Sequence, residues 1–139
     1  MTKKTRLLIE DDSGNPILTA YIAEPGCDYE GADLSGLCFI GQRGLRGRCF
    51  KGAILYWANL SDSYFSGCDF RNADMRGSVL INAILTNCDF RGAKLGKDNM
   101  GGQAEIDGAS FEGSIYDKNT EFPEGFSPKS AGMRYQADS

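Results

Sequence analysis

Basic residues and glycines are concentrated in one short segment, which is the first place where this sequence could do chemistry. Four glycines lie there among four basic residues, namely Arg43, Arg46, Arg48 and Lys51. Glycine-rich bends can point backbone N–H groups at an anion, and arginine forks match the oxygens of phosphate or carboxylate. The segment therefore predicts an anion or phosphate site. The alternative, a widened bend whose arginines are simply solvated, is the interpretation that the sequence favours.

The cysteines are a second set of reactive side chains. There are five of them, an odd number, and no two have CxxC spacing. Complete disulfide pairing is therefore excluded, a zinc site is disfavoured, and a reducing cytoplasm is the expected compartment. Cys27, Cys68 and Cys88 are expected to be small buried residues, whereas Cys38 and Cys49 are expected to face outward.

Composition argues against catalysis. Histidine is absent from the 139 residues, which excludes Ser-His-Asp and Cys-His arrangements and histidine-based metal sites. No set of residues supplies a nucleophile, a base and an oxyanion site. We therefore predict that the protein is not an enzyme, with no catalytic residues, no cofactor-binding residues and no metal ligands.

Net charge and hydropathy narrow the partners further. The formal net charge is −4 and the pI is about 4.8, which disfavours direct binding to nucleic acid. No apolar run approaches the ~20 residues that a membrane-spanning helix needs. The expected partners are thus neither nucleic acid nor membrane.

A five-residue period organises most of the chain. Large apolar residues recur at every fifth position from Leu45 to Met100, and two one-residue insertions, at Gln42 and Gln103, extend the series in both directions. The result is eighteen pentads over residues 27–118. The residue two before each centre is small in fourteen of the eighteen pentads, and the residue two after it is Gly or Asn in fourteen.

Five matches neither the 3.6-residue period of a helix nor the alternation of a strand. It fits a chain that turns a corner at each pentad, with the central and small residues inside and Gly or Asn at the corner. Every fourth centre is aromatic, which predicts coils of about twenty residues and one inner aromatic column. The members of that column are Tyr29, Phe50, Phe70, Phe90 and Phe111.

These pentads resemble the A-(D/N)-L-x-x motif of the pentapeptide-repeat family. Ala32-Asp-Leu-Ser-Gly36, Ala58-Asn-Leu-Ser-Asp62 and Ala73-Asp-Met-Arg-Gly77 match it closely. The resemblance implies an all-β fold, a right-handed quadrilateral β-helix, here with about 4.5 coils in a single solenoid domain. The Phe122-Pro-Glu-Gly-Phe126 tail is similar to tails of family members from photosynthetic bacteria.

Both ends of such a solenoid need caps. Residues 1–26 are expected to form an N-terminal cap, a β-hairpin with strands Thr5–Glu10 and Ile17–Ala23 around a turn at residues 11–16. Residues 119–139 are expected to form an irregular C-terminal cap. Phe122 and Phe126 would fold over the last coil, and the chain beyond about residue 130 would be loose.

Four residues break the pattern of small inner side chains, namely Leu37, Arg43, Arg48 and Asp98. A buried unpaired charge costs several kcal/mol or more, so the charged members are expected to point away from the core. The extra residue of the first insertion is either Gln42 or Leu37. Asp98 is expected to lie in a bulged loop before the second insertion, although a ligand site is an alternative.

Apolar residues at outward positions are candidates for a partner surface. The residues selected are Ile54, Tyr56, Trp57, Val79 and Ile81. Their β-propensity alone could explain them, but the only tryptophan lies beside Ile54 and Tyr56, and such aromatics mark contact patches. A protein of undetermined identity or a second copy of the chain, giving a homodimer, could use this surface.

The function predicted from the sequence is a non-catalytic protein-interaction or scaffold module. The alternative, implied by the resemblance, is a DNA-mimic modulator of DNA gyrase or topoisomerase, because some pentapeptide-repeat proteins occupy the DNA-binding saddle of gyrase. DNA carries one charge per ~1.7 Å. Since acidic and basic residues are nearly balanced over residues 27–118, the charge density disfavours mimicry.

Overall fold

The computed structural model describes residues 3–10, 16–24, 29–38 and 40–137. Strands β1 (Lys3–Glu10) and β2 (Pro16–Glu24) form an antiparallel pair in which Thr5 lies opposite Ile22. These are the two strands predicted for the N-terminal hairpin, although Pro16, which was assigned to the turn, begins β2. Residues 11–15 of the predicted turn lie outside the described residues. That this pair caps the first coil stays a prediction. Across the described ranges, no helix has the length and apolar character needed to cross a bilayer.

A ladder of parallel bridges defines the solenoid. Bridged residues are twenty apart in its regular part, as in Cys49 with Asp69 and Asp69 with Asp89. Four such series run side by side, and we number the four faces in chain order. Face 1 carries Asp33, Ile54, Asp74, Lys94 and Glu121; face 2 carries Cys38, Asn59, Val79 and Glu105; face 3 carries Tyr64, Ile84 and Ser110; face 4 carries Cys49, Asp69, Asp89 and Ile115.

The interior confirms the predicted inner positions in the regular coils. Phe70, Met75, Leu80, Leu85 and Phe90 are all 0% exposed. The small residues that precede these centres, either alanine or a polar or sulfur-containing substitute of similar size, are buried as well. Each pentad thus places one large and one small side chain in a continuous core, which is why the five-residue period predicts the fold so well.

Corners between faces have left-handed backbone angles. Glycine occupies most of them, and asparagine or aspartate occupies four others, for example Asn72 at φ 59°. These are the residue types that tolerate such angles at low cost. The Gly or Asn position of the pentad is therefore a conformational requirement of the turn.

The aromatic column is confirmed through Phe90. The rings of Phe50 and Phe70 are stacked at 5.2 Å, and those of Phe70 and Phe90 at 5.3 Å. The assignment of Phe111 to this column is wrong, because Asp89 bridges Ile115 and Ile84 bridges Ser110. Tyr116 therefore follows Phe90 on face 4, and Phe111 follows Leu85 on face 3.

The cause of this shift is an inserted loop. The prediction that Met100 occupies an inner position is wrong, since the side chain is 89% exposed. After Lys94 the next bridged position is Glu105, eleven residues later instead of five. Ala104 N donates a hydrogen bond to Leu95 O and closes the loop formed by residues 96–103. The second insertion is thus six residues long.

The first insertion also differs in place from the prediction. Tyr64 N donates to Gln42 O, and Asp69 N donates to Arg48 O. Gln42 therefore occupies the small position that was assigned to Arg43, and the extra residue lies between Gln42 and Arg48. Arg43 and Arg48 are exposed, as expected for charged side chains, and Leu37 packs partly against the core.

The C-terminal segment is more ordered than predicted. Strand β3 (Ile115–Tyr116) pairs in parallel with strand β4 (Arg134–Tyr135), and Gln136 N donates to Tyr116 O. Met133 is buried. The expectation that the chain beyond residue 130 is loose is therefore wrong for residues 131–136, because their backbone extends the parallel ladder.

The two phenylalanines of this segment pack against the last coils. The Phe122 ring lies 5.4 Å from that of Tyr116, and the Phe126 ring lies 5.2 Å from that of Phe111. Glu121 bridges Lys94, so the ladder on face 1 continues past the predicted solenoid boundary at residue 118.

Candidate functional site

Trp57 is an exception among the corners of the solenoid. Its φ is 60°, and the other described residues with positive φ are glycine, asparagine or aspartate. The corresponding corners of the coils below and above are Gly36 and Gly77, both at φ 72°. A bulky aromatic residue in this region of the backbone map is an outlier, and such strain costs of order 1–3 kcal/mol.

The indole ring is held in place although it is 52% exposed. A Cβ atom on Gly77 would lie 2.8 Å from the ring, and one on Gly102 would lie 2.6 Å from it. The ring thus packs directly on the backbone of a corner glycine and of a glycine in the inserted loop. The Tyr56 ring meets it edge-on at a centroid distance of 5.6 Å. Trp57 is therefore a fixed, half-exposed aromatic surface.

Asp98 ties the inserted loop to this position. Its carboxylate accepts hydrogen bonds from the Tyr56 hydroxyl and from the backbone N–H groups of Met100 and Gly102. The hydrogen bond from Tyr56, followed by that from Gly102, lowers the pKa of Asp98. The same bond raises the pKa of Tyr56. Both shifts stabilise the charged carboxylate with the neutral phenol, so the tether is favoured around neutral pH.

The other predicted surface residues lie on either side of the Trp57 corner. Ile54 and Tyr56 are the two outward residues of one strand on face 1, and Ile54 is 40% exposed. Val79 and Ile81 flank Leu80 on face 2 and are half-buried. We call Ile54, Tyr56, Trp57, Val79 and Ile81 the Trp57 surface. It spans two faces that meet at the tryptophan.

The predicted anion residues are divided between two faces. The guanidinium carbons of Arg43 and Arg46 lie 4.9 Å and 5.2 Å from the centre of the Tyr64 ring on face 3. Lys51 lies on face 4, with its Nζ 4.0 Å from a carboxylate oxygen of Glu30. Arg48 is exposed at the end of the bend. The structure thus brings two of the four residues together at one ring.

Arginines of the regular coils are paired with aspartates of their own strand. Arg71 binds Asp69 with both nitrogens of its fork, and Arg76 binds Asp74 in the same way. Burial alone would raise the pKa values of the two aspartates, but the hydrogen bonds and charge of each arginine outweigh it and lower the pKa. Much of the acidic charge on faces 1 and 4 is therefore neutralised locally.

The cysteines differ in their bonding. Cys68 and Cys88 are buried thiols that form no disulfide, as predicted, and burial raises the pKa of Cys88. Cys38 is free and exposed. Cys49, which is expected to face outward, is disulfide-bonded, and the cysteine spacing gave no indication of this bond. Cys27 lies outside the described residues. Within the described ranges, no group of three or more His, Cys, Asp or Glu residues could hold a metal ion.

Comparison with known proteins agrees with the geometry. A family model described as pentapeptide repeats matches residues 58–96 with eight copies. A pentapeptide repeat protein from the thylakoid lumen of Arabidopsis thaliana is similar in structure, with a TM-score of 0.61, 32% identity and coverage of 79% of this chain and 66% of that one. A pentapeptide repeat protein from Nostoc has 27% identity and a TM-score of 0.39, and covers 76% and 77% of the two chains.

A curated pentapeptide repeat protein is similar to part of this chain. The quinolone resistance pentapeptide repeat protein QnrB96 of Scandinavium goeteborgense is 36% identical over 67 residues, which are 48% of this chain and 31% of that protein. The aligned part of this chain thus spans about a third of that relative's length. The chain belongs to the pentapeptide-repeat proteins, and its fold is a right-handed quadrilateral β-helix.

Sequence reasoning missed the role of the inserted loop at the Trp57 surface. Asp98 was expected in a bulged loop, and it does lie in one, but its contact with Tyr56 forty-two residues away was not foreseen. The available signal in the sequence was the Gly101-Gly102 pair itself, and its approach to Trp57 is visible only in the structure. Paired glycines allow a loop to approach a large ring closely.

Proposed function

We propose that this protein is a non-catalytic protein-interaction or scaffold module that binds a protein partner through the Trp57 surface. The observation that carries the proposal is the tryptophan at a strained left-handed corner. Glycine or asparagine would satisfy the turn at lower cost, as they do at the neighbouring corners. Strain that the fold does not need is a mark of functional positions.

The packing of the ring supports a binding role. An exposed tryptophan that is fixed before binding loses little conformational freedom when a partner covers it. Tryptophan and tyrosine are also the residues that most often dominate binding energy at interfaces. Ile54, exposed beside them, and the half-buried Val79 and Ile81 would provide the surrounding apolar contact.

The alternative function is that of a DNA-mimic modulator of DNA gyrase or topoisomerase. The similarity to a quinolone resistance protein favours it. The paired aspartates argue against it, because Arg71, Arg76 and Arg91 neutralise the acidic positions that a DNA mimic would display. A supercoiling assay with purified gyrase tests the alternative directly, and the interaction proposal predicts no change in activity.

The compartment is a separate part of the proposal. A cytoplasmic location was predicted from the cysteine pattern, whereas the disulfide at Cys49 and the lumenal origin of a similar structure favour an oxidising compartment. Counting free thiols by alkylation and mass spectrometry, in protein taken from its source without reduction, distinguishes the two. An unreactive Cys49 excludes the reducing cytoplasm.

Site-specific photo-cross-linking tests the interaction proposal. A benzoylphenylalanine at position 54 leaves Trp57 intact and reports on whatever covers this surface. The matched control has the same probe at Ile84, which lies outward on face 3, opposite face 1. We expect a discrete adduct from position 54 only, and we expect Trp57→Asn in the same chain to remove it.

The identity of the adduct is read by mass spectrometry. A second protein supports the proposal as stated, and an adduct between two copies assigns the same surface to a homodimer. Equal labelling from positions 54 and 84, or labelling that Trp57→Asn leaves unchanged, contradicts a specific role for the Trp57 surface.

A further inference from the structure

Three arginines in the regular coils form ion pairs with aspartates of the same strand. The guanidinium nitrogens of Arg71, Arg76 and Arg91 lie 2.8, 2.7 and 2.6 Å from the carboxylates of the aspartates two residues before them. In each pair both side chains leave the same strand on the same face. A bidentate pair of this kind occupies the fork that would otherwise bind an external anion.

Arg43 and Arg46 lack this arrangement. The residues two positions before them are Gly41 and Gly44, so their own strand offers no carboxylate. Both guanidinium groups instead approach the ring of Tyr64, and Arg43 Nη1 lies 3.4 Å from the Tyr64 hydroxyl oxygen. Within the described ranges, neither arginine forms an ion pair with an acidic side chain.

Two cations gathered at one ring repel each other, and the negative face of a tyrosine offsets that repulsion only in part. An anion bound between them would offset the rest. We propose that Arg43, Arg46 and the hydroxyl of Tyr64 form a binding site for a dianionic phosphate group, as carried by inorganic phosphate or a phosphate monoester. This narrows the predicted four-residue anion site to two arginines and adds the tyrosine.

The donor set indicates phosphate rather than carboxylate. One arginine fork already satisfies one carboxylate in this molecule, as Arg71 does for Asp69. Two forks and a phenol hydroxyl offer more donors than two carboxylate oxygens can accept. A phosphate monoester presents three terminal oxygens and nearly two negative charges, whereas a phosphate diester carries only one charge.

This site is separate from the proposed partner surface. Tyr64 lies on face 3, whereas Ile54 and Tyr56 lie on face 1 at the opposite side of the solenoid. Variants at Arg43 and Arg46 therefore leave the Trp57 surface untouched, and failure of one proposal does not imply failure of the other.

The arginine side chains themselves provide the measurement. In nuclear magnetic resonance spectra, the Nε–Hε signals of Arg43 and Arg46 are followed at constant ionic strength during titration with four probes. These are inorganic phosphate, phenyl phosphate, dimethyl phosphate and acetate. Signals of Arg71, Arg76 and Arg91, which are paired within the protein, serve as internal controls.

We expect saturable shifts of the Arg43 and Arg46 signals with inorganic phosphate or phenyl phosphate, and no saturable shift of the three controls. The dianions should bind about tenfold more tightly than dimethyl phosphate or acetate. Tighter binding of phenyl phosphate assigns the site to an organic monoester, and tighter binding of inorganic phosphate assigns it to the free ion. Lowering the pH from 7.5 to 5 should weaken binding of the monoester, whose second pKa is about 6.

Two double variants distinguish phosphate binding at this site from nonspecific attraction of an anion to positive charge. Arg43→Gln/Arg46→Gln should abolish the saturable shift of Tyr64 ring signals, while Arg71→Gln/Arg91→Gln should retain it with the same number of positive charges removed. Linear shifts shared by all five arginines, or acetate binding as tight as phosphate, would overturn the proposal. Unchanged circular dichroism of both double variants shows that the comparison is between folded proteins.

Discussion

Between Ala53 and Leu95, Arg71, Arg76 and Arg91 are each paired with an aspartate and the inner positions are filled. In the segment 41–48 no aspartate stands two residues before an arginine, and the segment 96–103 contributes no residue to the hydrophobic core. The regular coils have corners of glycine, asparagine or aspartate everywhere except at Trp57. The irregular segments place two arginines at Tyr64 and bring a glycine of the inserted loop onto Trp57.

This difference separates residues that build the solenoid from residues that the solenoid displays. Packing and turn geometry fully explain the residues that build the solenoid. They do not account for a tryptophan at a left-handed corner or for two arginines that have no carboxylate partner among the residues that the structure describes. In a repeat protein each coil serves as a control for the next, so such exceptions are visible against a uniform background.

The largest effect is expected from a charge in the regular core. Phe70→Asp places a carboxylate where the side chain is 0% exposed, and the loss of packing with burial of an unpaired charge should cost more than about 4 kcal/mol. Thermal melting followed by circular dichroism measures it. The matched control Phe70→Leu should cost about 1–1.5 kcal/mol. Similar melting of Phe70→Asp and wild type would show that Phe70 does not face inward.

An intermediate effect is expected at the corners. Gly52→Ala and Gly77→Ala both force alanine to a φ near +70°, at a cost of roughly 1–2 kcal/mol. The Cβ at position 52 has its nearest neighbour at 3.9 Å, whereas the Cβ at position 77 meets the Trp57 ring at 2.8 Å. Gly77→Ala should therefore be the less stable variant in urea unfolding, and only it should shift the tryptophan emission. Identical emission in the two variants would contradict the packing of Trp57 on Gly77.

A smaller effect separates paired from unpaired arginines. Arg71→Gln removes a surface pair and should cost about 0.2–1 kcal/mol, while Arg46→Gln should leave the free energy of unfolding unchanged. The pKa of Asp69 is lowered in the folded protein. Its stabilising contribution is thus present above the unfolded pKa of about 4 and is lost as the pH falls through the folded value.

Arg71→Gln should consequently lose less stability than wild type when the pH is lowered from 5 to 2. Urea unfolding at several pH values measures the difference. An acid response of Arg71→Gln as steep as that of wild type would mean that the pair does not lower the pKa of Asp69.

The smallest effect is a local one at the inserted loop. Since the pKa of Asp98 is lowered and that of Tyr56 is raised, the hydrogen bond should persist from about pH 5 to about pH 9. It is lost as the pH falls through the lowered pKa of Asp98 or rises through the raised pKa of Tyr56. Emission of Trp57, the only tryptophan, should be constant between these limits and change outside them. In Tyr56→Phe both changes should shrink, and a midpoint near pH 7 would contradict the tether.

Periodicity was sufficient to predict the architecture because each pentad obeys the same packing rule. The five-residue period gave a wrong prediction where an inserted loop contained an apolar residue at five-residue spacing. Met100 continues the five-residue series in the sequence but lies at 89% exposure outside the core, and this one error displaced Phe111 from its face. A hydrophobic residue indicates that its position can be buried. Only the hydrogen-bonded register of the coils shows whether that position is actually buried.

The candidate sites were predictable as residue types but not as contacts. Trp57 was selected from the sequence, while its backbone strain and its contact with Gly102 depend on three-dimensional closure of the inserted loop. Arg43 and Arg46 were selected with Arg48 and Lys51, and the fold then divided them between faces. Tyr64, twenty-one residues from Arg43, could be added only from the coil register.

Urea unfolding of Trp57→Asn, followed by circular dichroism, tests most directly whether Trp57 serves contact with a partner rather than folding. Relief of backbone strain, of order 1–3 kcal/mol, should compensate for the lost packing on Gly77 and Gly102. We predict a free energy of unfolding within about 1 kcal/mol of wild type, as at the natural corner Asn72. A loss of more than about 3 kcal/mol, the range for removing a structural tryptophan, would show that Trp57 belongs to the core and contradict the account.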